Sequence, residues 1–363
     1  MIFLKKPLII LTGPTAVGKT KLSISLAKAV NGAIISADSM QVYRHMDIGS
    51  AKIRPEEMCG VPHYLIDVLD PSEEFHVVKF VELAHEAMEK IYAAGQIPIV
   101  TGGTGFYIQA LLKEVDFTES HGELPIRKQL EEKAATEEGA AELYRELSEV
   151  DPASAETIHP NNVKRVIRAL EYYHETGQKI SEHNEEQKQK ESPYCSAYFV
   201  LNDERSILYG RIDRRVDQMI RDGLVDEVFR LKEMGYTRDL VSMQGLGYKE
   251  LFPYLAGECT LEEAVYIIKR DTRHFAKRQL TWFRREKDVI WLNKLDFDYD
   301  EEKTIIIYAG SLERNRFGRC KGRRRTIMLT EKAAMYSTLG ISKEVFAFGT
   351  KIEEELKERF SKN

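Results

Sequence analysis

A glycine-rich segment near the amino terminus carries residues that could hold phosphate. The stretch Gly13-Pro14-Thr15-Ala16-Val17-Gly18-Lys19-Thr20 fits the pattern G-x-x-x-x-G-K-[ST], in which backbone N–H groups and a helix N-terminus surround phosphate oxygens. An apolar run precedes it and a helical pattern follows it, as a phosphate loop requires. In this interpretation Lys19 neutralises a terminal phosphate and the Thr20 hydroxyl ligates Mg²⁺.

Two further segments could do chemistry where predicted strands end. Asp38 places a carboxylate at the carboxyl edge of the sheet, where open α/β folds bind ligands. It is a candidate base or metal ligand, although Asp-Ser is equally good helix-capping chemistry. In Thr101-Gly-Gly-Thr104-Gly105 the glycines let the backbone approach a ligand, and the Thr104 hydroxyl can donate to an anion. No Asp closes that strand, which disfavours a hydrolysing ATPase.

The elements that must position these residues alternate along the chain. Strand signals occur at residues 7–11, 33–36, 64–67, 97–101, 196–201 and 289–292. Helical patterns cover residues 19–30, 76–94, 205–223, 224–235 and 261–285. Strands that alternate with helices predict an α/β fold with a doubly wound parallel sheet.

A helical segment interrupts this alternation. Residues 124–149 are rich in Glu, Ala, Lys and Leu, and residues 161–175 form another helical run. Residues 181–192, SEHNEEQKQKES, are predicted to form an exposed connector. The sequence therefore predicts a discontinuous core, residues 1–114 and 196–294, with a helical insertion at residues 115–195.

The carboxy-terminal extension, residues 295–363, has no assigned role. It contains the basic run Arg314–Arg325 and an amphipathic helical pattern at Ser342–Phe360. The basic run is interpreted equally well as a nucleic-acid-binding arm and as a poorly ordered segment.

Composition limits the class of protein. With 43% hydrophobic and 31% charged residues, the chain resembles ordinary soluble proteins, and 363 residues leave room for a second domain. No apolar run approaches the ~20 residues of a membrane span, and Lys5-Lys6 leads directly into the first strand without a signal peptide. We therefore expect a cytoplasmic monomer that does not associate with membranes.

Cysteine usage indicates no metal or disulfide framework. The four cysteines, Cys59, Cys195, Cys259 and Cys320, form no C-x-x-C pair. No histidine follows His274, which excludes a carboxy-terminal zinc finger. All four are expected to be reduced thiols.

Several blocks of sequence in a fixed order resemble one family. They are GPTAVGKT, ISADSMQVYRHMDIGSAKI, PHYLIDVLDP, TGGTGFYIQALL, IHPNNVKRVIRALEYYHETG, GLGYKEL and TRHFAKRQLTWFRRE. Together they resemble the bacterial tRNA dimethylallyltransferases, which prenylate the adenosine just 3′ of certain anticodons. The resemblance covers roughly residues 6 to 294 and implies a P-loop kinase-like fold. It also implies that the phosphate loop and Mg²⁺ hold the diphosphate of dimethylallyl diphosphate as a leaving group, with no ATP required.

The resemblance implies roles for individual residues. Asp38 would be the base for the exocyclic N6 amine of the adenosine, and Thr104 and Arg215 would contact the diphosphate. Local sequence alone favours a solvated helix charge for Arg215. The residues implied to contact the anticodon stem-loop of tRNA are Asp38, Ser39, Met40, Gln41, Thr104, Arg127, Lys164, Arg165, Arg168, Gln244, Gly245, Gly247, Lys249 and Lys277.

Two helical patterns place basic residues on one face. In the last helix these are Arg270, His274, Lys277, Thr281 and Arg284, while Phe275 and Trp282 are predicted to pack elsewhere. In the insertion, Lys164, Arg165 and Arg168 share a face, and Val163, Ile167 and Leu170 point inward. Alone, either cluster is also typical of a solvated helix face.

Three alternative functions remain. A small-molecule or nucleotide kinase would share the phosphate loop and would bind ATP, but the Asp38 block is not what a kinase requires. An adenylate isopentenyltransferase would act on free nucleotide and would have no use for a basic-faced helical insertion. A non-catalytic RNA-binding module would leave Lys19, Thr20 and Asp38 unexplained.

Overall fold

The computed structural model describes residues 5–115, 125–297 and 299. Its strands are β1 (Lys6–Thr12), β2 (Gly32–Ala37), β3 (His63–Tyr64), β4 (Ile97–Gly102), β5 (Tyr194–Asn202) and β6 (Ile290–Asn293). They form one sheet in the order β3-β2-β4-β1-β5-β6, and every pairing within it is parallel. The predicted α/β fold with a parallel sheet is confirmed.

Helices connect and flank the strands. They are α1 (Lys19–Val30), α2 (Val77–Ala93), α3 (Gly105–Lys113), α4 (Pro125–Lys133), α5 (Glu137–Val150), α6 (Pro152–Thr157), α7 (Val163–Thr176), α8 (Ile180–Gln189), α9 (Arg205–Arg221), α10 (Leu224–Glu233), α11 (Leu251–Leu255) and α12 (Leu261–Phe283). None of the helices in the described ranges is long and apolar enough to cross a membrane.

The chain divides into two compact units. The described part of the first unit comprises residues 5–111, 194–297 and 299, and that of the second comprises residues 112–115 and 125–193. In the first unit β1 lies between β4 and β5, and Leu8 to Leu11 are all buried. A continuous apolar run is what a parallel strand covered on both faces requires.

The carboxyl ends of four strands meet at one edge of this sheet. Thr12 of β1 pairs with Gly102 of β4 and with Val200 of β5, and Gly102 also pairs with Ala37 of β2. The segments that follow these strands are the phosphate loop, Asp38 and residues 103–104. Parallel pairing thus brings the candidate residues to the same edge.

The predicted third strand is shorter than expected. It was expected at residues 64–67, but β3 ends at Tyr64. Leu65 and Asp67 have φ of 63° and 55°, in the left-handed region, and so cannot continue an extended strand.

The second unit is helical and has its own core. Leu143, Leu147, Val166 and Leu170 are buried at its centre. The helix expected over residues 124–149 is interrupted, because the Thr136 hydroxyl accepts a hydrogen bond from the Gly139 amide and so caps a new helix, α5.

The connector predicted at residues 181–192 is exposed over most of its length, and most of it forms the helix α8. Its first turn is fixed by Asp151, whose carboxylate accepts hydrogen bonds from the Ser181 amide at 3.0 Å and the Ser181 hydroxyl at 2.6 Å. The polar composition correctly indicated exposure, but an exposed helix is polar too. The segments Arg314–Arg325 and Ser342–Phe360 lie outside the described residues.

Candidate active site

The phosphate loop joins β1 to α1, as its motif predicts. Gly13 and Gly18 have φ of 147° and 96°, which glycine adopts without strain. A Cβ on Gly13 would lie 2.3 Å from the Leu201 carbonyl oxygen, so only glycine lets the loop pass this close to β5. These two glycines set the path of the loop before any ligand binds.

Lys19 lies at the start of α1 with its ammonium folded into the loop. Its Nζ donates to the carbonyl oxygens of Gly13 at 2.9 Å and Pro14 at 2.8 Å. Burial lowers the pKa of Lys19 to about 8, the carboxylate of Asp38 opposes this shift, and the charge of Arg215 adds to it. A desolvated cation held in place is well suited to receive a phosphate oxygen.

A cavity of about 320 Å³ opens beside this loop. Of the predicted site residues, those that line it are Thr15, Ala16, Gly18, Lys19, Thr20, Asp38, Gln41 and Arg215. Thr104 is not among the residues that line the cavity; it follows the lining residue Gly103, and its amide donates to the Ala37 carbonyl oxygen at 3.3 Å. Four segments distant in sequence therefore converge on one pocket.

Asp38 both caps a turn and lines the cavity. Its Oδ1 accepts hydrogen bonds from the amides of Met40 at 2.8 Å and Gln41 at 3.4 Å, which is capping chemistry. The same side chain lines the cavity. Among the described residues, the hydrogen bonds to this carboxylate go to Oδ1, which leaves Oδ2 for a ligand.

Arg215 is not a solvated helix charge. It lines the cavity from α9, and burial lowers its pKa while the Asp38 carboxylate opposes the shift. One turn earlier, Arg211 also lines the cavity, and its guanidinium pairs with the buried carboxylate of Asp203 just after β5. Two arginines therefore face the pocket.

Among the side chains that line this cavity, sequence reasoning gave no site role to His63, Arg211 and Gln279. His63 Nδ1 lies 2.8 Å from the Val61 carbonyl oxygen, which can only accept, so Nδ1 carries the proton. Burial lowers the pKa of His63 and so favours its neutral form. His63 and Gln279 lie within the blocks PHYLIDVLDP and TRHFAKRQLTWFRRE, but nothing in their local spacing distinguishes them.

Comparison with known proteins decides the family. The model of the IPP transferase family matches residues 41–286, and the model of an isopentenyl transferase family matches residues 6–73. The chain belongs to the IPP transferase family. A tRNA dimethylallyltransferase from Lachnoclostridium phytofermentans is 67% identical over 295 residues, which are 81% of this chain and 94% of the relative.

Solved structures extend this comparison with IPP transferases. The full-length tRNA isopentenylpyrophosphate transferase from Bacillus halodurans is 46% identical, with a TM-score of 0.64, and the match covers 86% of this chain and 98% of that one. A eukaryotic dimethylallyltransferase described as acting on tRNA is 28% identical, with a TM-score of 0.73, and the match covers 98% of this chain and 100% of that one.

In this IPP transferase, two of the segments predicted to bind tRNA lie together. A Cβ on Gly245 would lie 2.5 Å from Met40 Sδ, so residues 38–41 pack directly against residues 244–249. The Gln41 amide is engaged within the protein, since Nε2 lies 3.4 Å from the carbonyl oxygens of Ser50 and Ala51 and Oε1 accepts from the Ser36 hydroxyl. Gly247 has φ of 94°, and its amide donates to Glu250.

A buried carboxylate anchors the loop beside these segments. Glu227 is 2% exposed and accepts hydrogen bonds from the amides of Asp47, Ile48 and Gly49 at 2.7–3.0 Å. It also accepts from the Tyr248 hydroxyl at 2.7 Å. The anchored loop supplies the Ser50 and Ala51 carbonyl oxygens that lie near Gln41, and Ser50 itself lines the cavity. Sequence reasoning assigned no role to Glu227.

The structure shows a basic face on α12, but the residues that form it differ in part from those predicted. His274, Lys277 and Thr281 line a groove of about 440 Å³ together with Arg278, Trp282 and Arg285. The prediction that Trp282 packs away from this face is wrong, while Phe275 does turn away and lines the active-site cavity. Arg270 pairs with Asp271 at 2.8 Å.

The second unit carries the remaining predicted tRNA contacts. Lys164 and Arg165 are exposed on α7, and Ile167 and Leu170 are buried as predicted. Arg127 and Arg168 both pair with the buried carboxylate of Glu171, at 3.4 Å and 2.9 Å. The pairing orders the two guanidinium groups without covering them.

Proposed function

We propose that this IPP transferase moves the dimethylallyl group from dimethylallyl diphosphate to the exocyclic N6 amine of the adenosine 3′-adjacent to the anticodon of tRNAs, and releases diphosphate. The observation that carries the proposal is one cavity lined by a phosphate loop, two arginines and the carboxylate of Asp38. The relatives named as tRNA dimethylallyltransferases support the substrate pair.

The phosphate loop would hold the leaving group. As the bond between the allylic carbon and the diphosphate oxygen breaks, its electron pair passes to the diphosphate. Backbone amides of the loop, the Lys19 ammonium and the guanidinium groups of Arg211 and Arg215 would stabilise that charge. Thr104, which follows the lining residue Gly103, would contribute its hydroxyl to the same anion.

Asp38 would act on the nucleophile. An exocyclic adenine amine is weakly nucleophilic because its lone pair is delocalised into the ring. Asp38 Oδ2 would accept a hydrogen bond from the amine, orient it, and take its proton as the C–N bond forms. The bonds from Met40 and Gln41 to Oδ1 hold the carboxylate in position for this task.

Residues of both units would bind the RNA. The paired segments 38–41 and 244–249 would contact the nucleotides at the cavity, and Lys277 with its neighbours on α12 would meet phosphates. Arg127, Lys164, Arg165 and Arg168 would bind the anticodon stem-loop. A stacked adenosine has to leave the loop to reach Asp38, as other base-modifying enzymes require of their substrates.

Mg²⁺ fits the donors at the cavity. Thr20 is exposed at the start of α1, lines the cavity beside Lys19, and offers the hydroxyl that phosphate loops present to this ion. When bound to the diphosphate, the ion would neutralise part of its charge.

The pKa of Lys19 predicts a pH limit on capture of the diphosphate. Lys19 loses its charge as pH rises through about 8, so kcat/KM for dimethylallyl diphosphate should decline above that pH, with a slope of up to roughly tenfold per pH unit. We expect this decline to be absent in Lys19→Arg, because guanidinium stays charged. Measuring kcat/KM from pH 6.5 to 9.5 at saturating tRNA checks this, and the same decline in the arginine variant would contradict it.

The proposed function is tested with labelled dimethylallyl diphosphate offered separately to unmodified tRNA and to AMP. Label should enter tRNA alone, and a tRNA with guanosine 3′ of the anticodon should stay unlabelled. Label in AMP would instead identify an adenylate isopentenyltransferase. In a third reaction without the prenyl donor, phosphate transfer from ATP to a nucleotide or small molecule would identify a kinase.

A further inference from the structure

We infer that Gln279 is a positioning residue that fixes the distance between the phosphate loop and the loop after β4. This inference concerns the diphosphate site of the proposed function and therefore rests on it. Gln279 lies on α12, is 6% exposed and lines the active-site cavity. It is not one of the groups to which the chemistry above gives a role.

Each end of the Gln279 amide contacts a different loop. Its Oε1 accepts a hydrogen bond from the Thr15 amide at 2.9 Å, and its Nε2 donates to the Gly103 carbonyl oxygen at 3.0 Å. Since a backbone amide only donates and a carbonyl only accepts, these partners fix the orientation of the side-chain amide. One buried side chain therefore joins the middle of the phosphate loop to the loop after β4.

The two loops lie next to each other at the cavity, and a Cβ on Gly103 would lie 3.7 Å from the Gly13 carbonyl oxygen. They follow the adjacent strands β1 and β4, which are also joined by hydrogen bonds from the Thr12 hydroxyl to the Gly102 carbonyl oxygen and from the Thr101 hydroxyl to the Leu11 carbonyl oxygen. Beyond the strand ends, Gln279 continues this connection. Without it the Thr15 amide and the Gly103 carbonyl would lose their partner, and both residues line the cavity.

The same contact leaves no room for a side chain at Gly103. A Cβ on Gly103 would lie 2.0 Å from Gln279 Nε2 and 3.2 Å from its Cδ, so a larger residue would displace the amide. Gly103 does not have a positive φ, so backbone strain does not explain a glycine here. Trp282, one turn further along α12, packs in the same way against Gly105, so the helix contacts the loop on both sides of Thr104.

The inference predicts a selective loss of diphosphate binding in Gln279→Met, which keeps the length of the side chain but removes both hydrogen bonds. The dissociation constant of inorganic diphosphate should rise roughly tenfold or more, because two buried backbone groups lose their partner. The dissociation constant of tRNA should change less than twofold. Glu262→Gln, at an exposed position on the same helix, is the matched control and should bind both ligands normally.

Hydrogen exchange separates positioning from general destabilisation. In Gln279→Met the peptide that contains Thr15 should exchange faster, while peptides from α2 and β5 keep the protection of the wild type. Uniformly faster exchange, or unchanged diphosphate binding in a folded variant, would overturn the inference.

A double-mutant cycle tests the contact itself. Gly103→Ala should impair diphosphate binding about as much as Gln279→Met, because it displaces the amide. In a Gln279→Ala background, where the space is free, adding Gly103→Ala should cost less than twofold. Fully additive losses would contradict the inference. If wild-type protein fails to prenylate tRNA, the proposed function fails, whereas the exchange and diphosphate experiments still decide the role of Gln279.

Discussion

Replacing Asp38 with asparagine should slow the chemical step of prenyl transfer by roughly 10²–10⁴-fold, the usual contribution of a positioned acid–base group. Asparagine keeps the shape and an Oδ1 that can accept from the amides of Met40 and Gln41, so the turn after β2 should persist. What it removes is the charge and the ability of Oδ2 to take a proton. Binding of both substrates should change far less than the rate.

Single-turnover prenylation at saturating tRNA and dimethylallyl diphosphate measures this step directly. A purely capping role for Asp38 predicts a rate within threefold of the wild type, which would remove Asp38 from the mechanism. A metal-ligand role predicts weaker diphosphate binding that added Mg²⁺ partly restores. Asp239→Asn, at an exposed position, is the matched control and should react at the rate of the wild type.

Replacing Lys19 with methionine should weaken binding of inorganic diphosphate by roughly 10²–10³-fold, because it removes a desolvated positive charge from the anion site. Methionine keeps most of the length of the side chain, so the packing at the start of α1 is largely preserved. Binding of tRNA should change less than threefold, since its phosphates would meet basic residues elsewhere, such as Lys277 on α12.

Calorimetric titration with inorganic diphosphate, and a filter-binding assay with tRNA, measure the two affinities separately. Lys28→Met is the matched control, because Lys28 is exposed on the same helix and should bind both ligands normally. Equal loss of both affinities in a folded Lys19→Met protein would show that the two sites are not separate.

Much of the fold and part of the site could be predicted because they depend on neighbours in the chain. The phosphate loop needs glycine where φ is positive, and Gly13 and Gly18 supply it. The buried strands needed only continuous apolar runs such as Leu8 to Leu11. Local sequence was misleading at the end of β3, where Leu65 and Asp67 have positive φ, and at Trp282, which lines the basic groove of α12.

The assembled pocket depended on contacts between residues that are distant in sequence. Gln279 contacts Thr15 across 264 positions, and Glu227 holds the loop at Asp47 across 180. The local sequence around Gln279 and Glu227 does not distinguish either residue, because only their partners in the fold explain why these polar side chains are buried.

Sequence by itself determined which chemical groups this protein has: a phosphate loop, a carboxylate after β2 and several basic helix faces. Only the tertiary structure decided that Asp38 caps a turn and also faces the cavity, and that Arg215 is half-buried and lines the same cavity. The physical reason is that the strand order places β1 between β4 and β5 and so determines which of the loops that follow the strands are neighbours. Local spacing carries no information about that order.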